Sequence, residues 1–161
     1  MEVRIRRGGA ADDVNAIVRI NGEVFEPEYG LAPSFAGDMA VQLAELRRSG
    51  WPREGEGCWI AELDGRAVGA VTLRSLGNGL ARLAHLALCP EARGTGAGRR
   101  LVDAVVEAAR AAGHDRLELM TFTDLVAARE IYSRGGFELM SSEHMVRWGR
   151  ELRWERWELA L

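Results

Sequence analysis

A chain of 161 residues, 47% hydrophobic and 28% charged, has the size of one globular domain with a two-layer core, and nothing in it requires a second unit beside residues 1–161. Its 24 acidic residues against 21 basic ones, all of them arginine, leave a net charge of −3, which excludes nucleic acid as a general partner, since that calls for a basic surplus. No stretch is apolar and long enough for a membrane span or a leader, so a membrane partner is not expected and a cytoplasmic setting is.

Val3 to Arg6 alternates with period two and predicts a first strand, broken at Gly8-Gly9. From about Asp12, the positions Val14, Ile17, Val18 and Ile20 follow helical spacing, with Asp12 and Asp13 available as caps. Glu26 to Ser34, carrying Pro27, Gly30 and Pro33, predicts a loop. A second helix sets Met39, Leu43 and Leu46 on one side and stops at Ser49-Gly50, before Pro52. Cys58 to Leu63 and Ala67 to Leu73 flank Asp64-Gly65, a two-residue hairpin signal, and Asn78-Gly79 turns the chain into a further strand over Leu83 to Leu88. Pro90 cannot donate to a sheet ladder, so that strand ends by Cys89.

A glycine-rich turn and a helix follow, the helix using Leu101, Val102, Val105, Val106 and Ala109 and ending near Gly113. Arg116 to Thr121 predicts a strand, and Thr123 or Asp124 caps a helix through Ala128 to Tyr132 that Gly135-Gly136 ends. Phe137 to Met140 returns as a strand. The last strand is Trp154 to Leu161, with Trp157, Leu159 and Leu161 on one face.

Cys58 and Cys89 lie far apart in strand-like runs and read as reduced core thiols. The three histidines form no metal-ligand spacing with them, so no metal is expected. The five tryptophans read as core and interface residues, with a homodimer as one use for them.

Chemistry concentrates between residues 83 and 102. Gly94, Gly96 and Gly98 let the backbone turn tightly just before a helix whose first N–H groups are unpaired and whose dipole is positive there. With Arg93, Arg99 and Arg100 beside it, the loop suits a phosphate or pyrophosphate. The dinucleotide fingerprint fails, because its third glycine falls on Arg99 or Leu101, and the nucleoside triphosphate loop fails for want of any lysine.

What remains, Arg93-Gly94-Thr95-Gly96-Ala97-Gly98 behind a strand ending in Leu86-Ala87-Leu88-Cys89-Pro90, resembles the pyrophosphate motif of the GNAT family of N-acetyltransferases. Ala128, Tyr132, Gly136 and Phe137 resemble that family's second hallmark, and the element order matches its own. The resemblance implies an α/β (α+β) fold with a central mixed, mostly antiparallel sheet of about seven strands flanked by about four helices. It implies acetyl-CoA as cosubstrate, no metal, and transfer of the acetyl group to a primary amine by direct attack in a ternary complex. Arg93 to Arg99 would hold the pyrophosphate. The backbone of Leu86, Ala87 and Leu88 would template the pantetheine as a further strand, and an N–H there would polarise the thioester carbonyl. Tyr132 would be the general acid, since a phenol of pKa about 10 can protonate a departing thiolate. Leu125 stands where many relatives carry an asparagine on the pantetheine, next to Asp124, and it and Ala128 are expected beside the cofactor.

The family builds its acceptor pocket near the end of the first helix, which makes Glu26 and Tyr29 candidates alongside Glu23 and Glu28. His85 is expected in the core, facing away from the ligand. A narrower resemblance, over Ala128 to Tyr132, His144 to Leu152 and Trp157 to Leu159, is to the acetyltransferase half of proteins that also carry a MarR-type DNA-binding domain; no DNA binding is carried over. It adds His144, with Trp148-Gly149, either at the acceptor site or as a structural corner. The acceptor would be a small-molecule amine or a peptide N-terminus. The alternative is a non-catalytic acyl-CoA-binding sensor module, which would keep the same cradle.

Overall fold

The computed structural model describes residues 2–161. In chain order the elements are β1 (Arg4–Arg7), α1 (Ala11–Tyr29), α2 (Ser34–Arg48), β2 (Gly57–Leu63), β3 (Arg66–Gly77), β4 (Leu80–Leu88), α3 (Ala97–Ala111), β5 (Arg116–Phe122), α4 (Val126–Arg134), β6 (Glu138–Arg147) and β7 (Arg150–Ala160), with a short 3-10 turn over Pro90–Ala92 before α3. The seven strands form one sheet in the order β1-β2-β3-β4-β5-β7-β6, and only the β4–β5 pair is parallel. This is the mixed, mostly antiparallel sheet with four helices that the sequence implied.

Local chemistry accounts for the hairpins. Asp64-Gly65 and Asn78-Gly79 both sit at positive φ (52° and 77°, 54° and 78°), the two-residue turn whose twist matches that of the strands it joins. Residues Val68 to Leu73 of β3 are buried without alternation, so both faces of the sheet are covered. α1 packs on β3 and β4, with α2 against it, while α3 packs on β2, β3 and β4 with α4 beside it. Ile17, Ile20 and Leu43 from the first pair, Leu101 and Val105 from the second, and Ile60, Leu73, Leu83, Leu117 and Leu119 from the sheet are fully or almost fully buried. Among the described residues, no helix is long and apolar enough to cross a membrane.

Three expectations are corrected. The proposed loop over Glu26 to Ser34 is largely helix: α1 runs through Pro27 to Tyr29 and ends on Gly30 at φ 67°. Proline in a last turn removes only one hydrogen bond; the turn is held within α1 by Phe25 against Tyr29 (5.7 Å between ring centres) and from α2 by the Ala36 N–H, which donates to the Glu26 carboxylate (2.8 Å). Neither Thr123 nor Asp124 caps α4, whose N-cap is Leu125, because the Asp124 carboxylate is drawn to Arg150 at 2.9 Å. Finally, the two short C-terminal strands are a long hairpin, β6 and β7, closed by Trp148-Gly149 at φ 51° and 78°. Tryptophan is seldom found at such a turn, and Trp148 is anchored there by burial against Phe35 (4.9 Å) and by its indole N–H, which donates to Asp38 (2.8 Å).

Candidate active site

The site is built where β4 and β5 separate. Their register runs from Leu80↔Arg116 to Leu83↔Leu119 and then stops, while β5 stays paired to β7 as far as Phe122↔Trp154. Between Ala84 and Ala87, β4 sets two residues, His85 and Leu86, against the single Val71 of β3. This bulge is turned by His85 at φ 59°. Three contacts hold it. Asn21, almost wholly buried on α1, donates to the carbonyls of Ile17 (2.9 Å) and His85 (3.3 Å), and the imidazole is bracketed by Thr72 at Nδ1 (2.8 Å) and Gln42 at Nε2 (2.9 Å).

A cavity of about 650 Å³ opens at this separation. Its walls come from both sides of the sheet: Gly98, Ala128 and Tyr132 from α3 and α4, and Val24, Tyr29 and Met39 from α1 and α2. It is therefore a passage through the sheet, in which two molecules can meet from opposite faces. The edge of β4 from His85 to Leu88 that faces it has no strand partner. Leu86, Ala87 and Leu88 all line the passage, as do Leu125 and Ala128.

At the end of β4 the chain enters the glycine loop. Gly94 and Gly96 lie at φ 74° and 81°, and a Cβ on either would meet open space, so the loop's outer side is free to receive a ligand. Gly98 is different: a Cβ there would come within 3.1 Å of both Leu88 and Ile131, so α3 closes onto β4 and α4 only because this residue is glycine. Thr95 ties the turn by donating to the Ala92 carbonyl (2.5 Å) and accepting the Ala97 N–H (3.3 Å). Arg99 is exposed near Asp103 at 3.8 Å, and Arg100 donates to the Val3 carbonyl (2.8 Å). Arg93 is turned back to the passage, paired bidentately with Glu28 (2.6 and 2.7 Å) and donating to the Leu88 carbonyl (3.0 Å). Glu28 also raises the pKa of the Arg93 guanidinium.

Two buried side chains of the passage wall carry a hydroxyl with no hydrogen-bond partner among the described residues. The Thr121 hydroxyl is buried without a hydrogen bond, and the Tyr132 hydroxyl, on a buried ring packed against Phe137 and Trp157, makes none. Burial pushes the Tyr132 phenol pKa well up, so it keeps its proton through physiological pH. A splayed β4 edge, an open glycine turn and the unpartnered Tyr132 hydroxyl fit a long ligand with a phosphate at one end and amide groups along its arm.

A family model described as the acetyltransferase (GNAT) family matches residues 18–137, from within α1 through the glycine loop and Tyr132 to Phe137. The chain belongs to the GNAT acetyltransferase family. Mycothiol acetyltransferase of Beutenbergia cavernae is 29% identical over an alignment of 140 positions that covers 81% of this chain but only 43% of that relative. The chain thus spans less than half the length of that curated relative. Among solved structures, a Salmonella typhimurium protein with its cofactor acetyl-CoA superposes with a TM-score of 0.78 at 20% identity, covering 100% of this chain and 95% of that one. A ribosomal-protein-alanine N-acetyltransferase of Brucella melitensis gives 0.76 at 21% identity, covering 98% and 99%.

Within this GNAT fold the acceptor-side candidates separate. Tyr29 lines the passage; Glu26 does not, being engaged as the cap of α2. His144 lies on β6, exposed and 3.8 Å from Glu151, away from the passage. Trp148, by contrast, lines it, and His85 is also among its lining residues, with its ring nitrogens turned to Thr72 and Gln42. The reason is the bulge, which an apolar strand pattern does not announce. Thr121, Asp38, Gln42 and Trp154 were not singled out in the sequence, because nothing local marks them. Among the described residues, no group of three or more His, Cys, Asp and Glu side chains is placed to hold a metal.

Burial, with Arg74 nearby, pushes the His85 pKa down from the usual 6.5 to about 4. The unfolded chain therefore binds this proton more readily, and stability contributed at neutral pH is lost as the pH falls from about 6.5 towards 4. Urea midpoints measured at pH 7 and pH 4.5 are expected to fall more steeply for the wild type than for His85→Asn. Equal slopes would contradict the buried, neutral imidazole.

Proposed function

We propose that this chain transfers an acetyl group from acetyl-CoA to a primary amine by direct attack in a ternary complex. The observation that carries this reading is Tyr132, a buried phenol without a protein hydrogen-bond partner, which lines the same passage as the unpaired edge of β4. The acetyl-CoA of the Salmonella relative supports the choice of donor.

In this reading Arg93 to Arg99 is the pyrophosphate cradle, with Gly94 and Gly96 giving close backbone approach and Arg99 an exposed charge. The backbone of Leu86, Ala87 and Leu88 pairs with the pantetheine in place of the missing strand, and Leu125 and Ala128 cover its arm. As the amine attacks the thioester carbon, a C–N bond forms and the C–S bond breaks. Tyr132 gives its proton to the departing sulfur and recovers one from the acylated nitrogen, and no covalent enzyme intermediate is needed.

A cytoplasmic setting is part of the proposal, supported by Cys58 and Cys89 as free, buried thiols. So is a homodimer through β6, the outer strand of the sheet, which leaves Leu139 48%, Met140 49% and Val146 70% exposed.

Tyr132→Phe is expected to lower kcat by about 10²- to 10⁴-fold while leaving the KM for acetyl-CoA and the thermal midpoint close to wild type. An unchanged kcat would remove the acid role; acetyl-CoA binding with no turnover on any amine would favour the sensor module. Sedimentation of the wild type is expected to show a dimer that Val146→Glu dissociates, and a monomer across the concentration range would overturn the β6 interface.

A further inference from the structure

Resting on the acetyl-transfer reading, we propose that the acceptor is a small monoamine carried on an aromatic body, held in the part of the passage that lies between α1, α2 and the β6–β7 turn. Six aromatic rings there form a closed circuit. Phe25 meets Phe35 at 5.3 Å between ring centres, Phe35 meets Trp148 at 4.9 Å, and Trp148 meets Trp154 at 6.1 Å. Trp154 stacks on Phe122 at 6.0 Å, Phe122 meets Tyr29 at 5.9 Å, and Tyr29 returns to Phe25 at 5.7 Å. All six line the cavity. A collar of ring faces and edges complements a flat aromatic guest, and it offers an aliphatic polar guest few partners.

The collar is held in place from outside. The Arg150 guanidinium donates to the Tyr29 carbonyl (2.8 Å), and the Ala32 N–H donates to the Trp148 carbonyl (2.8 Å), tying the hairpin turn to the α1–α2 connection. Trp148 is held at positive φ with its indole on Asp38, a conformation kept only where the surroundings over-determine it. Four of the rings, Phe25, Phe35, Phe122 and Trp148, are buried; Tyr29 and Trp154 are half-buried and present open surface. The collar is thus formed before any guest arrives.

Charge on the cavity wall limits the acceptor to one cationic group. Asp38 is its only carboxylate, and one of that carboxylate's oxygens already accepts from Trp148. Arg82 and Arg93, also on the wall, are matched by Glu118 and Glu28, while Arg147, its guanidinium 4.2 Å over the Trp148 ring, has no carboxylate partner among the described residues. A second ammonium would meet arginines and no free carboxylate, which disfavours polyamines and aminoglycosides. The same walls bear on how the amine becomes a nucleophile. Both ring nitrogens of His85 are engaged by Thr72 and Gln42, which leaves the second oxygen of Asp38 as the unengaged carboxylate atom on the wall. Desolvation among aromatic rings disfavours the ammonium form, and the amine sheds its proton to solvent as it enters.

The test is a comparison of kcat/KM at saturating acetyl-CoA for phenethylamine and tryptamine against putrescine, spermidine and a glycine-initiated tripeptide. The aromatic amines are expected to exceed the others by at least about thirtyfold, of the order a shaped apolar pocket confers. Trp154→Leu and Tyr29→Leu, made separately because either could disturb folding, should each raise the tryptamine KM about tenfold without changing the acetyl-CoA KM. Equal or better use of putrescine or the tripeptide would overturn the proposal. Calorimetric titration of tryptamine into the CoA-loaded wild type separates it from the transfer reading: binding without turnover leaves the aromatic acceptor site standing and defeats acetyl transfer, whereas no binding and no turnover defeats the proposal itself.

Discussion

The four rungs of pairing between β4 and β5, followed by none, are the constraint on which the rest depends. Two parallel neighbours in the middle of a sheet would ordinarily satisfy one another's backbone groups along their whole length. Here β5 goes on with β7 while β4 bulges at His85, and the last charged rung before the gap is tied by Arg82 and Glu118 at 2.6 Å. The bulge is built rather than accidental. Asn21 takes up the His85 carbonyl, and Thr72 and Gln42 take up its ring, so polar groups freed by the break are satisfied except along the edge that lines the passage. A sheet with a gap at its centre loses cohesion there, and a ligand that pairs with the edge restores it.

Covering helices on both faces turn that gap into a passage with two different ends. On the α3 and α4 side, the open glycine turn and the close approach at Gly98 give a polar, backbone-lined entrance. On the α1 and α2 side, the wall is aromatic. Between them sit the phenol of Tyr132 and the free edge of β4, so the reacting carbon would lie where a donor from one face and an acceptor from the other converge. Arg93 joins the two ends: it holds the last carbonyl of β4 and, through Glu28, the end of α1. Because it is paired within the protein, its charge does not simply await a phosphate, and the sequence alone does not reveal this.

The hairpins at Asp64-Gly65 and Asn78-Gly79, the end of β4 before Pro90 and the glycine loop were legible because each is a backbone demand met by the residues that occupy it. Where tertiary contacts overrule a local rule, the sequence misleads. Pro27 reads as a loop but lies in a helix whose last turn is clamped by Glu26 and Tyr29. Asp124 reads as a cap but is claimed by Arg150. Trp148-Gly149 is the structural corner that the sequence offers as one alternative, but nothing local shows that this corner joins two strands as long as Glu138–Arg147 and Arg150–Ala160. The aromatic collar was invisible for a related reason: its rings come from α1, α2, β5 and the β6–β7 hairpin, and each is by itself an ordinary core residue. Tyr132 could be singled out because a motif contains it, and Tyr29 because it lies at the end of the first helix, where the resembled family builds its acceptor pocket, whereas Thr121 and His85 take their meaning from a bulge and a gap that no periodicity records.

The most direct test of the account is amide hydrogen exchange of the intact protein with and without saturating acetyl-CoA, read at Leu86 to Leu88 on β4 and at Gly94 to Arg99 in the loop. The account predicts slower exchange in both stretches when the ligand is present, with little change in β1 or β2, because the donor completes the open edge and the helix start together. Unchanged exchange along β4 at saturation, whatever happens in the loop, would contradict the claim that the separated edge is where the donor binds.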